Sequence, residues 1–140
     1  MPKICIATDP HLSFSSQFDR MGSTGVSNRL QEILDSLKWA ADAGKAKKAT
    51  YFFGLGDIFD KPERLPTKEG IEIQKVFKYI SDTYKNKCGL LTGNHDKISQ
   101  ETSILDLFSS TIPVFNKVSF LDVDGARLFF IPYILSLIHI

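Results

Sequence analysis

The 140-residue sequence lacks several features that would assign it to a specialised class of protein. Its only two cysteines, Cys5 and Cys88, lie near the start of predicted strands, where we interpret them as small buried hydrophobic residues and not as a disulfide. A net charge of only +1 excludes a global attraction to nucleic acid or to an anionic membrane. No apolar run is as long as a membrane span and no signal peptide precedes the first strand, so we expect a cytoplasmic location with no membrane contact.

The composition that is present, 43% hydrophobic and 24% charged residues, is that of one soluble domain. Apolar periodicity predicts strand, helix, strand, helix, strand and short helix, followed by a hairpin. This order is typical of an α/β fold with a parallel core sheet, and we expect the hairpin to extend that sheet in antiparallel fashion. The predicted strands are 3–8, 49–55 and 88–92, the helices 27–43 and 67–85 with a short one after 99, and the hairpin strands 118–121 and 127–131. The predicted helix N-caps are Ser27, Thr67 and Ser99, and Gly44 is the predicted end of the first helix.

A short polar cluster follows each of the three predicted strands. The clusters are Asp-Pro-His at 9–11, Gly-Asp-Ile-Phe-Asp at 56–60 and Gly-Asn-His-Asp at 93–96. Because ligands bind at the carboxyl ends of strands in an open α/β sheet, we expect the three clusters to converge on one edge. Their oxygen and nitrogen donors, without cysteine, are typical of one or two divalent metal ions. Each cluster taken singly has a structural alternative, a turn or a helix cap, and only the ordered set is specific.

Four of these residues are candidate metal ligands. Asp9 and His11 are two residues apart, so in an extended segment both side chains point to the same side. The carboxylate of Asp57 has two oxygens and can bridge two ions, and Asn94 offers a neutral carbonyl oxygen.

The remaining polar residues of the clusters are candidates for other roles. We expect His95 to face the substrate and protonate a leaving oxygen, with metal ligation as the alternative. Asp96 is expected to accept a hydrogen bond from His95 and fix its tautomer, which gives it a catalytic role. Asp60 is interpreted as a residue that caps or orients its loop.

Basic and aromatic residues near this edge are candidates for contact with nucleic acid. The candidate substrate-binding cations are Arg20, Lys61, Arg64 and Lys97, with ordinary surface charge as the alternative. The aromatic residues Phe14 and Phe18 are expected either to stack on unpaired bases or to cover the core.

Taken in order, the three clusters resemble the motifs of the calcineurin-like metallophosphoesterase superfamily. Within it, the segments Gly-Asp-Ile-Phe-Asp at 56–60 and Phe-Ile-Pro-Tyr at 130–133 are most similar to the nuclease subunit of double-strand-break repair complexes, of the bacterial SbcD type and its phage counterparts. The resemblance covers residues 3 to 133 and implies a metallophosphoesterase-type layered β-sandwich flanked by helices.

The resemblance also implies a function and a set of cofactors. Asp9, His11 and Asp57 match ligands of a first divalent ion, Asp57 and Asn94 match ligands of a second, and His95 matches the catalytic histidine. Manganese is the usual metal of the family's nucleases, with iron or zinc in other branches. The implied partners are DNA, an SMC-like ATPase subunit and a second copy of the full-length protein.

One departure from the family leads us to expect a fragment. The family has further metal-binding histidines downstream, whereas the only later histidine here is His139, to which we carry over no role. We therefore expect residues 1–133 to be the N-terminal half of the catalytic domain, with weak binding of the second ion and impaired hydrolysis. Residues 134–140 are expected to be a non-native or disordered tail, with a genuine short strand or the start of a helix as the alternative. The alternatives are a phosphomonoesterase or small-molecule phosphodiesterase of the same superfamily, and a non-catalytic domain that keeps the fold.

Overall fold

The computed structural model describes residues 1–14, 20–61 and 65–134. Within these residues, two long helices and six strands follow one another in an order that confirms the predicted α/β class. They are β1 (Ile4–Thr8), α1 (Asn28–Ala46), β2 (Tyr51–Leu55), α2 (Thr67–Thr83), β3 (Cys88–Leu91), β4 (Val114–Phe115), β5 (Ser119–Val123) and β6 (Ala126–Phe130), with a 3₁₀ helix (Ile104–Phe108) between β3 and β4.

The first four strands form one parallel sheet in the order β1-β2-β3-β4. The prediction that the hairpin extends this sheet is wrong, because within the described part of the chain β5 and β6 pair only with each other, as a separate antiparallel sheet. Val123 and Phe130 of the hairpin are buried in a cluster with Tyr51 and Phe53 of β2. Burial of these apolar side chains against the face of the parallel sheet is what holds the hairpin there, so it forms a third layer.

Alternation along β2 divides the core into two parts. Phe52 belongs to the larger cluster, which contains the inner faces of α1, α2 and the 3₁₀ helix. Tyr51 and Phe53 point to the opposite face and meet the hairpin. Successive side chains of a strand point to opposite faces, so a near-continuous apolar strand is what a sheet covered on both sides requires.

The helix ends match the predictions only in part. Ser27 caps α1 as predicted, since its hydroxyl accepts a hydrogen bond of 3.1 Å from the backbone nitrogen of Leu30. Gly44 does not end α1, which continues to Ala46; a Cβ at Gly44 would collide with the Tyr84 hydroxyl and with Cys5, so this glycine permits close packing.

The other two predicted caps are displaced. The N-cap of α2 is Pro66, and Thr67 is the first helical residue. The 3₁₀ helix is capped by Ser103 and not by Ser99, with Asp106 completing a reciprocal capping box. Among the described residues no helix is both long enough and apolar enough to cross a membrane. The predicted tail lies outside the described residues except for Ile134.

Candidate metal centre

Backbone pairing beyond the strand ends brings the first two clusters together. The segment after β1 remains alongside the segment after β2: the backbone nitrogen of His11 donates to the carbonyl of Asp57 at 3.1 Å, and that of Leu12 to Ile58 at 2.7 Å. Leu12 and Ile58 are fully or almost fully buried and fix the two segments to the core. The polar residues between these anchors therefore lie side by side at the carboxyl edge of the sheet.

The backbone at this edge adopts the left-handed conformation at three non-glycine positions. The φ angles are 49° at Asp9, 49° at His11 and 46° at Asp57, and the adjacent Gly56 has φ 74°. This region is costly for residues with a Cβ, although Asp, Asn and His enter it more readily than most. The turns that result direct side chains out of the strand direction and over the end of the sheet.

Three candidate ligands converge as a consequence. Asp9, His11 and Asp57 each place one ligand atom within 4.8 Å of the other two. Nε2 of His11 is 4.0 Å from a carboxylate oxygen of Asp9, and the two side chains are 35% and 59% exposed. The group is therefore open to solvent on one side and could exchange an ion or a substrate oxygen.

The third cluster completes this group from β3. The amide of Asn94 lies against the Asp57 carboxylate, and the backbone nitrogen of His95 donates to the same carboxylate at 3.1 Å. A Cβ on Gly93 would collide with the backbone nitrogen and carboxylate of Asp57. Only glycine lets the two loops approach this closely. We refer to Asp9, His11, Asp57 and Asn94 as the oxygen-rich site.

The contact between Asn94 and Asp57 tests whether this site suits a cation. With its amide nitrogen toward Asp57, Asn94 donates to both carboxylate oxygens, at 2.9 and 3.1 Å. With its amide oxygen toward Asp57, three oxygen acceptors face one another, an arrangement that needs a cation between them. The Asn94 amide can thus present either a donor or an acceptor to Asp57, and with the oxygen toward Asp57 the residues of this site fit a hard divalent metal ion.

His95 is held by a backbone partner at one ring nitrogen. Its Nδ1 is 2.8 Å from the carbonyl oxygen of Asp60, which can only accept, so Nδ1 carries the hydrogen and Nε2 is free. This hydrogen bond, with the nearby carboxylates of Asp57, Asp60 and Asp96, raises the pKa of His95 above its usual value. The ring stands edge-on to His11, with 5.2 Å between centroids. His95 is exposed, so its ring is accessible to a molecule bound from solvent next to the oxygen-rich site.

Asp96 does not form the predicted hydrogen bond with His95. Its side chain is fully buried and accepts three backbone hydrogen bonds, from Ile58 at 3.2 Å, Phe59 at 2.7 Å and Gly93 at 2.8 Å. Burial raises the pKa of Asp96, and these hydrogen bonds oppose that rise. Asp96 therefore joins the second and third clusters to each other, and its contribution to the site is positional.

The role of Asp60 was missed from the sequence. Its backbone carbonyl holds His95, and its carboxylate lies 3.6 Å from Nδ1 of His11. The signal was its position three residues after Asp57, but that spacing alone does not distinguish a loop cap from a residue that faces two histidines.

The predicted nucleic-acid contacts are only partly described. Arg20 and Lys61 are exposed, whereas Nζ of Lys97 donates to the carbonyl of Gln100 at 3.2 Å. Phe14 packs against the core, with its ring 6.0 Å from that of Phe59, which favours the core-covering alternative. Two further predicted contacts, Arg64 and Phe18, lie outside the described residues.

Comparison with known proteins found no family model and no curated protein that matches this sequence. The chemistry of the site is therefore inferred from its own residues. The strongest constraint is the donor set, which combines two carboxylates, an imidazole and an amide at the ends of three adjacent parallel strands.

Proposed function

We propose that this chain is the N-terminal part of a divalent-metal-dependent phosphodiester hydrolase with a metallophosphoesterase-type fold. Within that class we propose the nuclease subunit of a DNA repair or recombination complex. One observation carries the proposal: ligand atoms of Asp9, His11 and Asp57 lie within 4.8 Å of one another, and the Asn94 amide contacts the Asp57 carboxylate. This is a cation-binding donor set at the sheet edge where α/β proteins bind ligands.

The oxygen-rich site would hold the metal, with manganese as the expected ion and iron or zinc as alternatives. Asp9, His11 and Asp57 provide three donors for one ion, and Asp57 with Asn94 provides two for a neighbouring ion. Bound divalent ions would activate water and offset charge on phosphoryl oxygens. With only two donors from this chain, the second ion is expected to bind more weakly than the first.

His95 is the proposed general acid. Its Nδ1–H is fixed by the Asp60 carbonyl, which leaves Nε2 to exchange a proton with a leaving oxygen. In the metal-free chain the hydrogen bond to the Asp60 carbonyl and the neighbouring carboxylates raise the pKa of His95, which favours the imidazolium, the form that donates the proton. The exposure of the ring permits this contact with a bound phosphodiester.

Local cations support a nucleic-acid substrate. The chain has a net charge of only +1, so phosphate binding must come from groups close to the site. Arg20 and Lys61 are exposed, and both follow a cluster of the site along the chain. An SMC-like ATPase subunit and a homodimer of a longer protein are the proposed partners, on the resemblance alone.

The experiment that tests this function measures metal-dependent hydrolysis of DNA ends. The 140-residue chain, and the same chain extended by its downstream coding sequence, would be assayed with manganese on linear duplex DNA, single-stranded DNA and p-nitrophenyl phosphate. We expect manganese-dependent DNA cleavage by the extended chain, lost in the matched His95→Gln variant. Hydrolysis of the monoester alone would identify a phosphomonoesterase, and absence of both metal binding and hydrolysis would identify a non-catalytic domain.

A further inference from the structure

A second group of metal-binding side chains overlaps the oxygen-rich site. Ligand atoms of His11, Asp60 and His95 also lie within 4.8 Å of one another. The proposed hydrolysis uses His95 as an acid and gives the Asp60 carboxylate no role, although that carboxylate is 3.6 Å from His11. We call these three residues the histidine-pair site.

The donor types of the two groups favour different metals. Two imidazoles and one carboxylate, with an open position toward solvent, are a common ligand set for zinc. The oxygen-rich site has one imidazole among carboxylate and amide oxygens, which suits harder ions such as manganese. Ligand atoms on a tetrahedral zinc lie about 3.3 Å apart at metal distances of about 2.0 Å, so small side-chain rotations are enough to close the histidine-pair site.

The two sites share His11 through opposite ring nitrogens. Nε2 faces Asp9 at 4.0 Å, and Nδ1 faces Asp60 at 3.6 Å. A neutral imidazole has one nitrogen with a free lone pair and one that carries hydrogen. His11 can therefore serve as a ligand in one site or in the other, depending on its tautomer.

We propose that His11, Asp60 and His95 form a zinc site that is mutually exclusive with the oxygen-rich site. Zinc selects the tautomer of His11 with a free Nδ1, and a metal in the oxygen-rich site selects the tautomer with a free Nε2. Nδ1 of His95 is held by the Asp60 carbonyl, so Nε2 is the nitrogen that would bind this zinc, and it would then no longer be available for proton transfer. This consequence rests on the proposed function: zinc inhibits the hydrolase, and manganese restores its activity.

Binding measurements on the 140-residue chain test this proposal independently of activity. Zinc and manganese would each be titrated into the metal-free protein by calorimetry, and manganese again after zinc loading. We expect zinc loading to weaken manganese binding at least about tenfold, in proportion to zinc occupancy. Simultaneous stoichiometric binding of one zinc and one manganese with unchanged affinities would overturn the proposal.

Matched variants separate the two sites. Asp60→Asn keeps the backbone carbonyl that holds His95 and is expected to weaken zinc binding by a factor at least about tenfold larger than its effect on manganese binding. It removes a ligand of zinc, whereas for manganese it changes only the partner of Nδ1 on the ligand His11. Asp57→Asn is expected to have the opposite selectivity. Unchanged zinc affinity in both Asp60→Asn and His95→Gln would contradict the proposal, and far-UV circular dichroism checks that each variant is folded.

These measurements also distinguish failure of the zinc-site proposal from failure of the proposed hydrolase function. If the wild-type chain binds zinc but not manganese, and Asp60→Asn loses the zinc, the histidine-pair site stands and the proposed hydrolase does not. If manganese binds and Asp60→Asn leaves zinc unchanged, the hydrolase proposal stands and the histidine-pair site is rejected.

Discussion

The two ends of the parallel sheet both contain non-glycine residues in the left-handed conformation, but the side chains have different surroundings. At the amino end, Lys48 has φ 64° in the turn from α1 to β2, and its side chain is exposed. At the carboxyl end, Asp9, His11 and Asp57 have φ angles of 46–49°, and their side chains converge. A glycine would satisfy the first turn better than lysine, whereas in the second set it would remove a candidate metal ligand.

This difference distinguishes a left-handed residue that only forms a turn from left-handed residues whose side chains also build the candidate metal site. A left-handed residue with a Cβ costs about 1 kcal/mol relative to glycine. Among the described residues no hydrogen bond or ion pair of the Lys48 side chain offsets this cost, and its backbone nitrogen donates to the carbonyl of Lys45 at 2.8 Å. At the carboxyl end, three such residues are adjacent to one another, and a shared cation would offset their cost.

The carboxyl end should be disrupted most by Asp96→Ala. This change leaves the buried backbone N–H groups of Ile58 and Phe59, and the part-buried one of Gly93, without an acceptor, and we expect a loss of at least about 3 kcal/mol in unfolding free energy. The matched control is Asp122→Ala, which removes an exposed ion pair with Arg127 and should cost less than about 1 kcal/mol. Urea unfolding measures both, and equal losses would show that Asp96 does not anchor these loops.

Gly93→Ala should damage both the stability and the site. The added Cβ would collide with the Asp57 backbone, so we expect about 1–3 kcal/mol of destabilisation together with weaker manganese binding. Gly70→Ala is the control. Gly70 lies inside α2, where alanine favours the helix, and its added Cβ would make only ordinary contacts of 3.4 Å with Leu65. Unaltered manganese affinity in Gly93→Ala would separate this glycine from the site.

Among the proposed ligands, Asp57→Asn should have the largest effect on metal affinity. Asp57 contacts the groups of all three clusters, so we expect manganese affinity to fall at least about 100-fold, against about tenfold for Asn94→Ala. Calorimetry on both variants checks the ranking. The reverse order would mean that Asp57 is not the shared ligand.

In the chain extended by its downstream coding sequence, His95→Gln should leave manganese binding unchanged and remove most turnover. Loss of a general acid reduces the rate about 10²- to 10⁴-fold. The comparison of manganese affinity with turnover distinguishes proton transfer from ligation. If affinity for manganese falls as much as turnover does, His95 is a ligand of the oxygen-rich site.

The smallest expected effect is a gain. Lys48→Gly should raise the unfolding free energy by about 0.5–1 kcal/mol and leave metal binding unchanged, because it relieves a left-handed lysine. Asp9→Gly should give a similar backbone relief and lose manganese affinity. If both variants bind manganese equally, the two ends of the sheet do not differ in the way proposed here.

The α/β class and the convergence of the three clusters could be predicted from the sequence. Both depend on local patterns: the periodicity of apolar residues and the polar residues at strand ends. Ser27 was recognised as a cap for the same reason. The position of the hairpin could not be predicted, since its pairing is local but the sheet face that it covers depends on tertiary burial. The hydrogen-bond partner of His95 could not be predicted from the sequence either. Asp96 is adjacent in the chain, but its carboxylate accepts three backbone hydrogen bonds, and His95 donates to the Asp60 carbonyl instead.

Titration of the metal-free 140-residue chain with manganese, read by electron paramagnetic resonance of the free ion, tests the central claim most directly. We predict one manganese ion bound per wild-type chain and a loss of this binding in Asp57→Asn, with both proteins folded by circular dichroism. A folded wild-type chain that leaves all manganese free, or binds it as well with Asn at position 57, would contradict the assignment of Asp9, His11, Asp57 and Asn94 to a metal centre.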